Sequence, residues 1–116
     1  MTILATIAVV LVALLHVYFM LLEMVFWTKP LGRKTFALDP AFAEASKGLA
    51  ANQGLYNGFL VAGLVWGAST HNVAIETFFL ACVIVAGVFG AITVSRKILF
   101  VQALPAVVAL ILVYLA

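Results

Sequence analysis

Apolar stretches of membrane-spanning length take up most of this 116-residue chain and leave only short connections between them. A helix needs about 20 mostly apolar residues to cross a hydrocarbon core roughly 30 Å thick. Four segments meet or nearly meet that length, at about residues 2–27, 40–68, 73–94 and 98–116. With 67% hydrophobic and 9% charged residues, the chain lies far from the roughly 25% charge of soluble domains. The pattern predicts a single integral membrane domain, all-α, built as a four-transmembrane-helix bundle.

The six basic residues give an orientation. Lys29, Arg33, Lys34 and Lys47 lie in or beside the first connection, Arg96 and Lys97 in the third, and the second, ASTHN, has none. Four spans place the first and third connections on one side, and the positive-inside rule makes that side cytoplasmic. Both termini and His71 then face outward, and the expected location is a bacterial cytoplasmic (inner) membrane. The first segment lacks a basic leader and a small-x-small cleavage site, so it is expected to be a retained helix. The net charge of +2 sits in the cytoplasmic loops, where it meets anionic lipid headgroups and implies no nucleic-acid binding. The single cysteine, Cys82, excludes an intrachain disulfide. Asp39-Pro40 predicts a helix start, with aspartate as the cap and proline at the first helical position. Trp27 and Trp66 suit interfacial belts on opposite sides.

Polar side chains inside the spans carry the functional signal, because a polar group in hydrocarbon must find a partner. On the first helix, His16 and Glu23 are seven residues apart and share a face to within roughly 20°. Glu23 is about one turn from the cytoplasmic end, and His16 lies two turns deeper. The second helix carries Asn52, Gln53, Tyr56 and Asn57, and the fourth carries Gln102, with Arg96 just before it. These residues predict one polar pocket opening to the cytoplasm under a dry outer half. Glu23 is read as either a pocket acid or an interhelical hydrogen-bond anchor. His16 is either the pocket's inner end or a satisfied imidazole. No second His or Cys stands at ligand spacing, so no metal site is expected.

Ala50, Gly54, Gly58 and Ala62 form a small-residue ridge that admits another helix closely, either one of this chain or one of a second copy. Pro105 removes a donor and frees the Val101 carbonyl, and it is read as either a kink beside Gln102 or an ordinary tolerated proline. There is no Gly-rich phosphate loop, triad pattern, CxxC or EF-hand, so composition and spacing name neither a reaction nor a cofactor.

His16, Glu23 and Trp27, followed by GRKTF at 32–36 and ANQGLYNGFLVAGL at 51–64, resemble a family of small bacterial membrane proteins known as a domain of unknown function. More distantly, the chain is similar to the MAPEG superfamily, the membrane-associated proteins in eicosanoid and glutathione metabolism. RKTFALDP at 33–40 looks like the basic first loop of those proteins, and EASKGLAAN at 44–52 looks like the opening of their second helix. The resemblance implies a trimeric four-helix bundle with a cytoplasm-facing site between subunits. In it Lys47 takes the place of a ligand-binding arginine, Asn52 that of an asparagine and Arg96 that of the arginine before helix four. Leu55 stands where that superfamily usually has a glutamate, and Lys47 with Gly48 replaces an arginine pair. What carries over is therefore fold and orientation rather than glutathione binding.

Three functions fit these residues. The first is a protein that binds a small amphiphile or lipid-like ligand in the cytoplasmic pocket. The second is a small transporter or transporter subunit using His16 and Glu23, which requires a polar path past His16 that Leu4 to Leu15 does not offer. The third is a structural or accessory membrane subunit without a ligand.

Overall fold

The computed structural model describes residues 2–116, and among these all regular structure is helical. Helix α1 runs Ile3–Met24, α2 Pro30–Phe36, α3 Pro40–Ser69 and α4 Val73–Thr93; a wide turn at Leu99–Ala103 then leads into α5, Leu104–Leu115. Two of these, α1 with 22 residues and α4 with 21, are long and apolar enough to cross a membrane by length and composition.

Each boundary has a local cause. The Ala5 N–H donates to Thr2 Oγ1 at 3.1 Å, which caps α1. The helix stops at Met24, three residues short of the expected end, and the Val25 and Phe26 N–H groups both close on the Leu21 carbonyl. The first connection holds a helix that hydropathy did not predict. Pro30 opens α2 from its first position, and Ala37 closes it in a left-handed conformation (φ 53°, ψ 48°) while the Leu38 N–H returns to the Arg33 carbonyl at 2.8 Å. Seven residues rich in Lys and Arg give no apolar run, so a method that counts apolar runs misses such an element.

Asp39 caps α3 as the sequence implies, its Oδ2 accepting from the Phe42 N–H at 3.4 Å. At the other end His71 turns the chain at φ 50°, and Asn72 caps α4 by accepting from the Ile75 N–H at 3.1 Å. Near Pro105 the chain forms a wide turn with an i→i+5 bond, in which the Leu104 N–H reaches the Leu99 carbonyl. Proline supplies no N–H for the carbonyl four residues back, and widening the preceding turn accommodates that loss.

The chain divides into two compact units, 2–14 with Leu60–Ala116, and Leu15–Phe59. In the first, Ala5, Val9, Val12, Ala13, Leu64, Ala68, Leu80, Val83, Ala106, Ala109 and Val113 form the core. Small side chains point inward while Phe78, Val85, Phe89 and Ile92 are more than three-fifths exposed. Gly87 admits the wide turn, since a Cβ there would lie 2.7 Å from the Ala103 nitrogen. Close packing through small residues, with large apolar side chains outward, suits helices solvated by lipid. The second unit contains Leu15–Met24 of α1, all of α2 and Pro40–Phe59 of α3.

Candidate functional site

In the Leu15–Phe59 unit, α1 and α3 meet along a glycine seam. A Cβ at Gly54 would come within 2.5 Å of Met24 Cγ, 3.1 Å of the Met20 carbonyl and 3.2 Å of Glu23 Cβ, and one at Gly58 within 3.2 Å of Met20 Sδ. The helix that uses the small-residue ridge is therefore α1 of the same chain. The ridge does not continue through Ala62, which is exposed; the buried line of α3 here is Ala43, Ala50, Gly54 and Asn57. That close approach brings the buried Asn57 Nδ2 to Glu23 Oε1, to which it donates a hydrogen bond.

Glu23 also lines a wide-mouthed recess of about 290 Å³, with Met24, Val25, Trp27, Thr28, Lys47, Gly48 and Ala51. Its walls are fixed from three elements. The Trp27 indole donates to Ser46 Oγ at 3.0 Å and packs on Phe36 of α2, with ring centroids 5.1 Å apart. Gly32 lets α2 press under the chain, because a Cβ there would fall 2.0 Å from the Phe26 carbonyl oxygen. Lys47 pairs with Glu44 one turn earlier on α3. Gly48 also lines the recess, but a Cβ there would meet nothing within 4 Å, so this glycine does not serve to bring helices close. The arrangement offers a carboxyl held by an amide, a cation and an aromatic wall around one opening.

The other residues singled out in this unit do not line the recess. Asn52, Gln53 and Tyr56 are exposed and line no part of the recess. At about 100° per residue, Asn52 lies about 140° around α3 from Asn57, so consecutive polar positions diverge onto different faces. Arg96 and Gln102 belong to the other compact unit: Arg96 is exposed beyond α4, and Gln102 is half-buried in the wide turn. His16 is fully buried, edge-to-face with Phe19 at 5.3 Å, and does not line the recess. Of the eight polar side chains singled out in the sequence, Glu23 lines the recess and Asn57 is bonded to it, while Lys47 and Trp27 complete the lining.

Two groups escaped the sequence reading. Arg33 Nε on α2 is buried without a hydrogen-bond partner. Glu76 on α4 is fully buried; its place in the first turn beside a polar loop gave no hint that it points inward.

The family model described as Protein of unknown function (DUF1304) matches residues 10–114. The chain belongs to that family. It is 33% identical over 115 residues to the uncharacterized protein YpaA of Lactococcus lactis subsp. lactis, covering 96% of this chain and 97% of that protein. No solved structure matches the chain. The DUF1304 match takes in the whole glycine seam and every residue of the recess.

Proposed function

We propose that this DUF1304 protein crosses the membrane four times, with the 25–39 connection cytoplasmic, and holds the polar head of a small amphiphile from the inner leaflet at the Glu23 recess. The observation that carries this reading is the double role of Glu23, bound on Oε1 by Asn57 while lining an opening shared with Lys47 and Trp27. A membrane carboxyl kept beside a cation and an aromatic wall is a binding arrangement by default. The outward-facing large side chains support the lipid setting, as do α1 and α4. The charge pattern of the loops supports the orientation and, for a bacterial source, the inner membrane.

Asn52, Gln53 and Tyr56 take a different role in this proposal. Two amides and a phenol on an outward face of α3 need hydrogen-bond partners in hydrocarbon, and a second copy of the chain supplies them. The MAPEG resemblance makes a trimer the expected copy number.

The Asn57–Glu23 bond also favours a second reading, in which Glu23 only anchors two helices. Native mass spectrometry of protein extracted with its lipids separates the two. The binding reading expects an oligomer carrying a small-molecule mass that is lost from Glu23→Gln and from Gly48→Phe, with helical content unchanged by circular dichroism. A bare monomer, or an equal bound mass on Glu23→Gln, overturns it.

A further inference from the structure

Glu76 carries chemistry that the recess does not use. It lies one turn into α4, behind the Asn72 cap, and begins the buried stripe that continues through Leu80, Val83 and Gly87. The residue is completely buried, and neither carboxyl oxygen has a hydrogen-bond partner. The corner between α3 and α4 closes directly on it. A Cβ at Gly67 would lie 2.7 Å from Glu76 Cγ and 3.0 Å from its backbone nitrogen, so glycine at 67 is what leaves room for the side chain.

A carboxylate anion has about four acceptor sites and no donor of its own. Burying it with none of them filled is strongly disfavoured, and the group escapes by taking up a cation. No cation is hydrogen-bonded to it among the described residues; the charges that act on it, His71 first and then the chain's amino group, do so through space. Residues 3–14 of α1, 60–69 of α3 and the wide turn carry no ionisable side chain. α5 brings only Tyr114, whose hydroxyl accepts from Thr77 at 3.2 Å. On α4 the remaining titratable group is Cys82, and His71 in the turn is exposed and makes no hydrogen bond to the carboxyl. Among the described residues no group of three His, Cys, Asp or Glu side chains is placed to hold a metal ion. With no cation hydrogen-bonded to the carboxyl among the described residues, the cation that this buried corner takes up is the proton.

We propose that Glu76 is a proton-binding site: in the folded protein near neutral pH its carboxyl carries a proton, a state that an exposed glutamate does not hold at that pH. The site is distinct from the Glu23 recess, and neither reading depends on the other.

Infrared difference spectroscopy of the full-length protein in lipid nanodiscs near neutral pH tests it. A protonated-acid carbonyl band that shifts in D₂O is expected in wild type, lost in Glu76→Gln and kept in Glu23→Gln. Identical wild-type and Glu76→Gln spectra overturn the proposal. Should Glu76→Gln fail to fold, carboxyl NMR of wild-type protein labelled at glutamate decides. A Glu76 resonance in the protonated-acid range supports the proposal, and one matching exposed Glu44 overturns it. His71→Ala, which removes the nearest exposed base, is expected to leave the band in place; its loss there would show the carboxyl to depend on the imidazole and would also overturn the proposal.

Discussion

Glycine does opposite work at positions 32 and 48. At Gly32 an added methyl meets the Phe26 carbonyl at 2.0 Å, and a backbone oxygen cannot step aside. Gly32→Ala is expected to cost about 3 kcal/mol, the upper range for overpacking, and to lower the melting temperature in detergent. At Gly48, inside α3 with open space beside it, the same change meets nothing and gains helix propensity. Gly48→Ala is expected to raise stability by about 0.5–1 kcal/mol in the same assay. The Glu23–Asn57 pair is tested by asymmetry. Asn57→Leu strips the carboxyl of its donor and is expected to cost about 1–3 kcal/mol, whereas Glu23→Gln keeps an acceptor for Asn57 and is expected to cost less than about 1 kcal/mol. Equal losses in thermal unfolding would mean that the amide does not hold the carboxyl.

The helix ends carry strain and capping that can be tuned one at a time. Ala37 closes α2 with φ 53°, a conformation that a Cβ disfavours and glycine adopts freely. Ala37→Gly is expected to stabilise the protein by about 0.5–1 kcal/mol, read from the unfolding midpoint. A loss instead would mean that Ala37 makes a contact worth more than the strain it bears. Asn72 is the cap of α4, so Asn72→Ala is expected to cost about 1 kcal/mol and to speed amide exchange at Ile75, whose N–H loses its acceptor. The wide turn at Leu99–Ala103 follows from Pro105 and from the tight seat of Ala103 against Gly87.

For the whole molecule the orientation is the prediction with most consequence. With Cys82 replaced by Ala, single cysteines at Lys34 and His71 report the two sides to an impermeant maleimide. In intact cells His71→Cys is expected to react at once and Lys34→Cys only after permeabilisation, because α2 belongs to the basic first connection and His71 to the uncharged second. The reverse labelling would turn the protein over and move the Glu23 recess to the outer surface.

The helical segments, the Asp39 cap and, as one of two readings, the disturbance near Pro105 were legible in the sequence, since each follows from local chemistry: an apolar run, a capping side chain or a missing N–H. Glu23 was legible as well, because a carboxyl inside an apolar run is conspicuous wherever its partner lies. The partner itself was not. Asn52, Gln53, Tyr56 and Asn57 look alike as a cluster, and only the seating of Gly54 and Gly58 on Met20 and Met24 selects Asn57 for Glu23. Helix α2 stayed hidden because a basic heptapeptide has no hydrophobic period, and its place is set by Gly32 beneath Phe26. Glu76 stayed hidden because a glutamate in the first turn of a helix is ordinary in sequence. Whether such a side chain faces water or enters a closed corner depends on rotation about the helix axis, and that rotation is fixed by packing against Gly67 rather than by anything within its own segment.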